Sequence, residues 1–168
     1  MIIVRLFRNT NFFMREFIWC IYMNFGRILK EIRTYELNTQ EDVAKILGIS
    51  KKTYGLYETQ EKIIPLKYLN TISNFYNVSI DYLLGLSDIK KYANSKHEIN
   101  KNLFSQRLKL LRKQHNITQQ YLAEKINAHH STICNYENGK NLITTALLYD
   151  ICKNFHISAD YLLGKIDS

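Results

Sequence analysis

The chain has 168 residues, 46% of them hydrophobic, with one proline, six glycines and a formal net charge of +8. That apolar content excludes a disordered chain, and so few turn formers exclude a turn-rich β architecture. The basic surplus points to a polyanionic partner, nucleic acid or an anionic membrane surface, and says nothing about fold.

Residues 1–23 are an apolar and aromatic extension carrying Phe12, Phe13, Phe17, Ile18, Trp19, Ile21 and Tyr22. The longest uncharged run, Phe17 to Gly26, is about half of the ~20 residues a membrane span needs. Arg15 and Glu16 interrupt the basic start that Arg5 and Arg8 would give a signal peptide, and no small-x-small cleavage site follows. No membrane partner is expected. An amphipathic surface helix, a dimer contact and a natural start at Met23 stay open for this stretch. Cys20, Cys134 and Cys152 are odd in number, widely spaced and without a C-x-x-C pairing, so neither disulfides nor a metal site is indicated. A reducing cytoplasm fits that usage.

From Phe25 onward the chain repeats itself. Shifted by 79 positions, Phe25–Asp88 lies on Phe104–Asp167 without a gap, and 20 of the 64 pairs are identical. Among them are Leu29/Leu108, Arg33/Arg112, Thr39-Gln40/Thr118-Gln119, Ala44/Ala123, Thr53/Thr132 and Tyr57-Glu58/Tyr136-Glu137, and Asp81-Tyr-Leu-Leu-Gly85 recurs as Asp160-Tyr-Leu-Leu-Gly164. Two domains follow, 24–88 and 103–168, each large enough for a small helical fold. Between them 89–102 reads as a polar linker with Lys90, Lys91, Lys96 and Lys101.

Each domain has helical apolar spacing. Phe25, Ile28, Leu29 and Ile32 stripe a first helix, as do Phe104, Leu108 and Leu111. A second helix begins at Thr39 or Thr118, where a hydroxyl can cap the first turn, and carries Val43, Ile46 and Leu47, or Leu122 and Ile126. Gly48 and Asn127, which tolerate a left-handed backbone, mark a tight turn. A third helix runs from about Ser50 to Tyr57 and from about His129 to Tyr136. Pro65 suits the first turn of a fourth, with Leu66, Leu69 and Ile72, and Leu148 and Ile151 in its copy. Ser79 and Ser158 cap a fifth, closed by Gly85 and Gly164.

The run Gln40-x-x-Val-Ala44-x-x-x-Gly48-x-Ser50, ending in Tyr57-Glu58, resembles the XRE family of helix-turn-helix proteins, to which phage repressors and Cro belong. Gln119-x-x-Leu-Ala123 with Asn135-Tyr-Glu-Asn-Gly-Lys140 resembles it more closely. The resemblance implies an all-α fold of two tandem five-helix lambda-repressor-like domains behind the N-terminal extension. It implies a sequence-specific DNA-binding transcriptional regulator, a repressor, whose partner is double-stranded DNA. Small Ala44 and Ala123 would let the second and third helices cross closely. The resemblance further implies Arg33–Glu58 and Arg112–Glu137 ion pairs.

The third helix of such a domain lies in the major groove. By resemblance the base-reading residues are Lys51, Lys52 and Leu56 in the first domain and His130, Ser131 and Asn135 in the second. Lysine can donate to guanine, and asparagine can pair bidentately with adenine. Gln40 and Gln119 would meet phosphate or an outer base, Thr53 and Thr132 phosphate, and Asn138 and Lys140 the backbone after the third helix. The second domain is the more convincing reader. Residues 25–88 are neutral overall and 103–168 carry +3; the first domain also puts Thr59-Gln60-Glu61 in place of Asn-Gly-Lys and has Gly55 inside its third helix.

A linker of fourteen residues could extend to ~45 Å, more than the ~34 Å between half-sites, so one chain could span two of them. Whether the fifth helices pair within a chain or between chains, as a homodimer, stays open. No cofactor and no small-molecule effector is identifiable. His129, His130 and Cys134 are close in sequence but have no carboxylate partner and no counterpart in the first domain, so an enzyme is not expected. The alternative is an antitoxin-like regulator in which one or both domains bind protein.

Overall fold

A computed structural model describes residues 24–167; the extension 1–23, with what was expected of it, lies outside the described residues. Ten helices are present among the described residues and no strand. They are α1 (Phe25–Tyr35), α2 (Gln40–Leu47), α3 (Lys51–Glu58), α4 (Leu66–Phe75), α5 (Ile80–Leu83), α6 (Lys101–Gln114), α7 (Gln119–Lys125), α8 (His130–Glu137), α9 (Thr145–Phe155) and α10 (Ala159–Leu162). The fold is all-α in two runs of five. The repeat reaches the backbone itself. Ten of the eleven left-handed residues among those described fall in five pairs at the sequence offset: Leu37/Asn116, Gly48/Asn127, Gln60/Gly139, Asn77/His156 and Gly85/Gly164; Asn94 is the eleventh.

Compact units divide differently from the repeat: one holds residues up to Ile64 plus Leu83–Gly85, the other Pro65–Tyr82 with everything from Leu86 onward.

In the first unit α1 buries Phe25, Ile28, Leu29 and Ile32, the expected stripe. Thr39 begins α2 with a reciprocal cap: its hydroxyl accepts from the Asp42 amide at 3.2 Å while Asp42 accepts from the Thr39 amide at 2.8 Å. Gly48, at φ 65°, stops α2 and turns the chain into α3. Ala44 is fully buried. Ile46, placed on the apolar stripe by spacing alone, is instead 38% exposed, because the buried arc runs through Val43, Leu47 and Ala44 and Ile46 lies past its edge.

In the second unit Pro65 is the extended residue before α4 rather than part of its first turn. The segment read as a linker is held in place. The Lys96 amide donates to the Lys165 carbonyl at 2.7 Å and the Asn100 amide to the Leu163 carbonyl at 2.9 Å. Asn100 then caps α6, which starts two residues before the expected boundary of 103. Thr118, Thr144 and Ser158 cap α7, α9 and α10 through their hydroxyls. Arg107 of α6 donates to the carbonyls of Tyr161 and Ile166 and stacks 4.1 Å over the Tyr161 ring. Residues from both copies meet here: Asp81 accepts from the Ser158 hydroxyl and the Ala159 amide, and Asp160 accepts from the Asp81 amide.

Candidate nucleic-acid interface

The two third helices are built alike from opposite needs on their two sides. On α8, Ile133 and Tyr136 are buried, and the Tyr136 ring meets Phe104 edge-on at 6.1 Å. On α3, Tyr54 and Tyr57 take those places. The other side stays in water: Lys51, Lys52, His130 and Ser131 are exposed, while Thr53, Leu56, Thr132 and Asn135 are half-buried. Ser50 caps α3, and its hydroxyl lies 2.9 Å from that of Thr53. His129 occupies the same place before α8 without a side-chain hydrogen bond.

Past α8 the chain turns through Gly139 at φ 66° and leaves Lys140 exposed, its amide on the Asn135 carbonyl at 2.9 Å. Asn138 is exposed and donates to the Cys134 sulfur at 3.3 Å. In the first copy Glu61 follows the turn and accepts from the Thr59 hydroxyl at 2.9 Å.

A buried carboxylate fixes the angle of each third helix. Glu137 receives Arg112 Nε at 2.6 Å and Nη2 at 2.9 Å; Glu58 receives Arg33 at 2.5 and 3.1 Å. Each arginine also donates to the carbonyl just before the cap of the second helix, Asn38 or Ile117. Burial alone would raise both glutamates, but the arginine and glutamine hydrogen bonds outweigh it and hold them below the ordinary carboxylate value. Bidentate geometry makes these the strong class of ion pair.

Gln40 and Gln119 complete the arrangement in a way that spacing did not show. Their Nε2 atoms donate to Glu58 at 2.8 Å and Glu137 at 2.9 Å. These bonds clamp the start of the second helix to the end of the third, and each leaves the amide a second N–H for the phosphate or outer-base contact expected of it. The only signal in the sequence was the recurrence of glutamine at the same offset from the same glutamate.

Among the described residues no group of three His, Cys, Asp or Glu side chains could hold a metal ion, and no helix is long and apolar enough to cross a membrane.

Comparison with known proteins agrees with this geometry. A family model described as helix-turn-helix matches residues 29–83 and again 108–162. The chain is 42% identical over 60 residues to the HTH-type transcriptional regulator YobD of Bacillus subtilis, covering 36% of this chain and 54% of that protein. It is 36% identical over 81 residues to the regulator ImmR of the same organism, covering 48% and 63%. The prophage-derived regulator YonR is 42% identical over 60 residues, covering 36% and 56%. The chain thus spans little more than half the length of these relatives. No solved structure matches it. With the family pattern covering both copies, the chain belongs to the XRE-type helix-turn-helix family, which it carries twice in tandem.

Proposed function

We propose that the chain is a sequence-specific DNA-binding transcriptional regulator, acting as a repressor, with 24–88 and 103–168 as its two reading domains. The observation that carries this reading is the surface of α8. Its first turn offers His130 and Ser131 to solvent while a bidentate Arg112–Glu137 pair locks its buried side. Seated in a major groove, His130, Ser131 and Asn135 meet base edges, and Thr132, Asn138 and Lys140 meet phosphates. Lys51, Lys52 and Thr53 do the same from α3 with less support, since Leu56 offers no hydrogen bond where α8 has Asn135. The similarity to proteins named transcriptional regulators supports the same reading.

Titrating labelled duplex at several salt concentrations tests it. A log–log slope of several units is expected, because each phosphate contact releases condensed counterions. Absence of binding, or binding indifferent to salt, would refute it. For the first copy alone, the acidic Glu61 where the second has Lys140 favours a protein partner in place of DNA.

A further inference from the structure

Asp81 and Asp160 occupy the same position in the two copies, and each serves the other copy's fifth helix. The Asp81 carboxylate takes the Ala159 amide at 2.6 Å and the Ser158 hydroxyl at 2.5 Å; the Asp160 carboxylate takes the Asp81 amide at 2.8 Å. Such an exchange is what two identical subunits make across a two-fold axis, where each surface must be its own complement.

The flanking contact breaks that symmetry. Lys165 is 2% exposed, and its ammonium is held by Asn70 Oδ1 at 2.6 Å, Asn74 Oδ1 at 3.0 Å and Ser73 Oγ at 3.3 Å. Both amide nitrogens are spent on the His97 carbonyl, at 3.1 and 2.9 Å, which turns both oxygens toward the lysine. At the repeat offset Lys165 matches Leu86, while Asn70, Ser73 and Asn74 match Tyr149, Cys152 and Lys153. Two first copies would therefore set leucine against a buried pair of amide oxygens. Two second copies would set one ammonium against another, with no amide oxygen near. Both like pairings leave a buried polar group or charge uncompensated; only the unlike pairing satisfies it.

We infer that the fifth-helix surface of each copy is built to take the other copy of the same chain and to reject its own kind, so that the surface is consumed internally and the protein is a single-chain counterpart of a dimer. One chain per DNA site follows from this inference together with the proposed function.

The mass of the full chain in solution, by light scattering across a wide range of concentrations, tests the inference without DNA. A constant 19.9 kDa is expected. A species of twice that mass growing with concentration overturns it, whether or not DNA is bound. Amide exchange reads the contact directly. In Lys165→Met the Asp81 and Ala159 amides should exchange about tenfold faster, with the Ile133 amide of α8 unchanged. Unchanged exchange at Asp81 and Ala159 also overturns the inference. Should the variant not fold, the wild-type mass decides alone.

Discussion

Gln60 fills the space that Gly26 leaves empty. A Cβ on Gly26 would stand 2.4 Å from Gln60 Cγ and 2.5 Å from the Glu58 carbonyl oxygen, and the Gly26 amide donates to Gln60 Oε1 at 2.9 Å. In the second copy the two roles are exchanged. Ser105 replaces the glycine on the helix, and Gly139 replaces the glutamine at the left-handed turn. One side chain occupies the junction in either case, supplied from opposite sides.

That exchange predicts a coupled pair. Gly26→Ser alone should cost about 1–3 kcal/mol through overpacking. Adding Gln60→Gly removes the Cγ clash and relieves a left-handed non-glycine residue but leaves the Glu58 carbonyl oxygen in place, so the double variant should recover part of the stability that Gly26→Ser loses. Urea denaturation of the four members of the cycle measures the coupling; strict additivity would mean that the two residues do not share the space.

Removing one arginine tests the buried carboxylates. Arg112→Met leaves Glu137 buried among its remaining donors and should cost about 3–5 kcal/mol, since an uncompensated charge costs more than the pair contributes. The same depressed glutamates set an acid limit. Their pKa values lie lower in the folded state than in the unfolded one, so the stability they confer is full above the ordinary carboxylate value and is lost as pH falls through the folded values. In Glu137→Gln that part of the acid transition should disappear.

Asp160 has the opposite sign. It is fully buried, its Oδ1 has no partner among the described residues, and burial pushes its carboxyl up to about 6. The folded state holds the proton more tightly, so this group favours folding below pH 4 and that contribution fades as pH rises through about 6. Asp160→Asn removes the charge and keeps an oxygen for the Asp81 amide. The variant should be more stable than wild type at pH 7, by on the order of 1 kcal/mol, and should lack that fading; thermal melts between pH 4 and 8 would show both.

On DNA, the proposed roles separate cleanly. Asn135→Ala should weaken one base position by about 1–3 kcal/mol and spare other sequences, whereas Lys140→Ala should weaken all duplexes alike and lower the salt slope by about one. Competition against single-base variants of a selected site distinguishes them. Equal losses on every sequence for both variants would sink the assignment.

Much of the fold was legible because local chemistry and long-range packing agreed. Thr39, Thr118 and Ser158 can cap a helix wherever they stand before one, and Gly48 can end one whatever surrounds it. Side-chain destinations decided by tertiary neighbours were not legible. That Gln40 and Gln119 also brace a glutamate eighteen residues away could not be read, because nothing local shows it. The segment 89–102 read as a tether for a related reason: its order comes from carbonyls near the C-terminus, which composition does not reveal. Lys165 was invisible as an anchor, since a lone lysine in a copied motif reads as an ordinary solvent-facing difference.

The gapless offset between the copies has a historical side. A duplicated gene is at first redundant, and either half can be lost. With the lysine in one half and the amides that receive it in the other, deleting either half would strand its mate, so the second copy is no longer a spare. Changes at position 165 and at positions 70 and 74 would have to be made together to be tolerated.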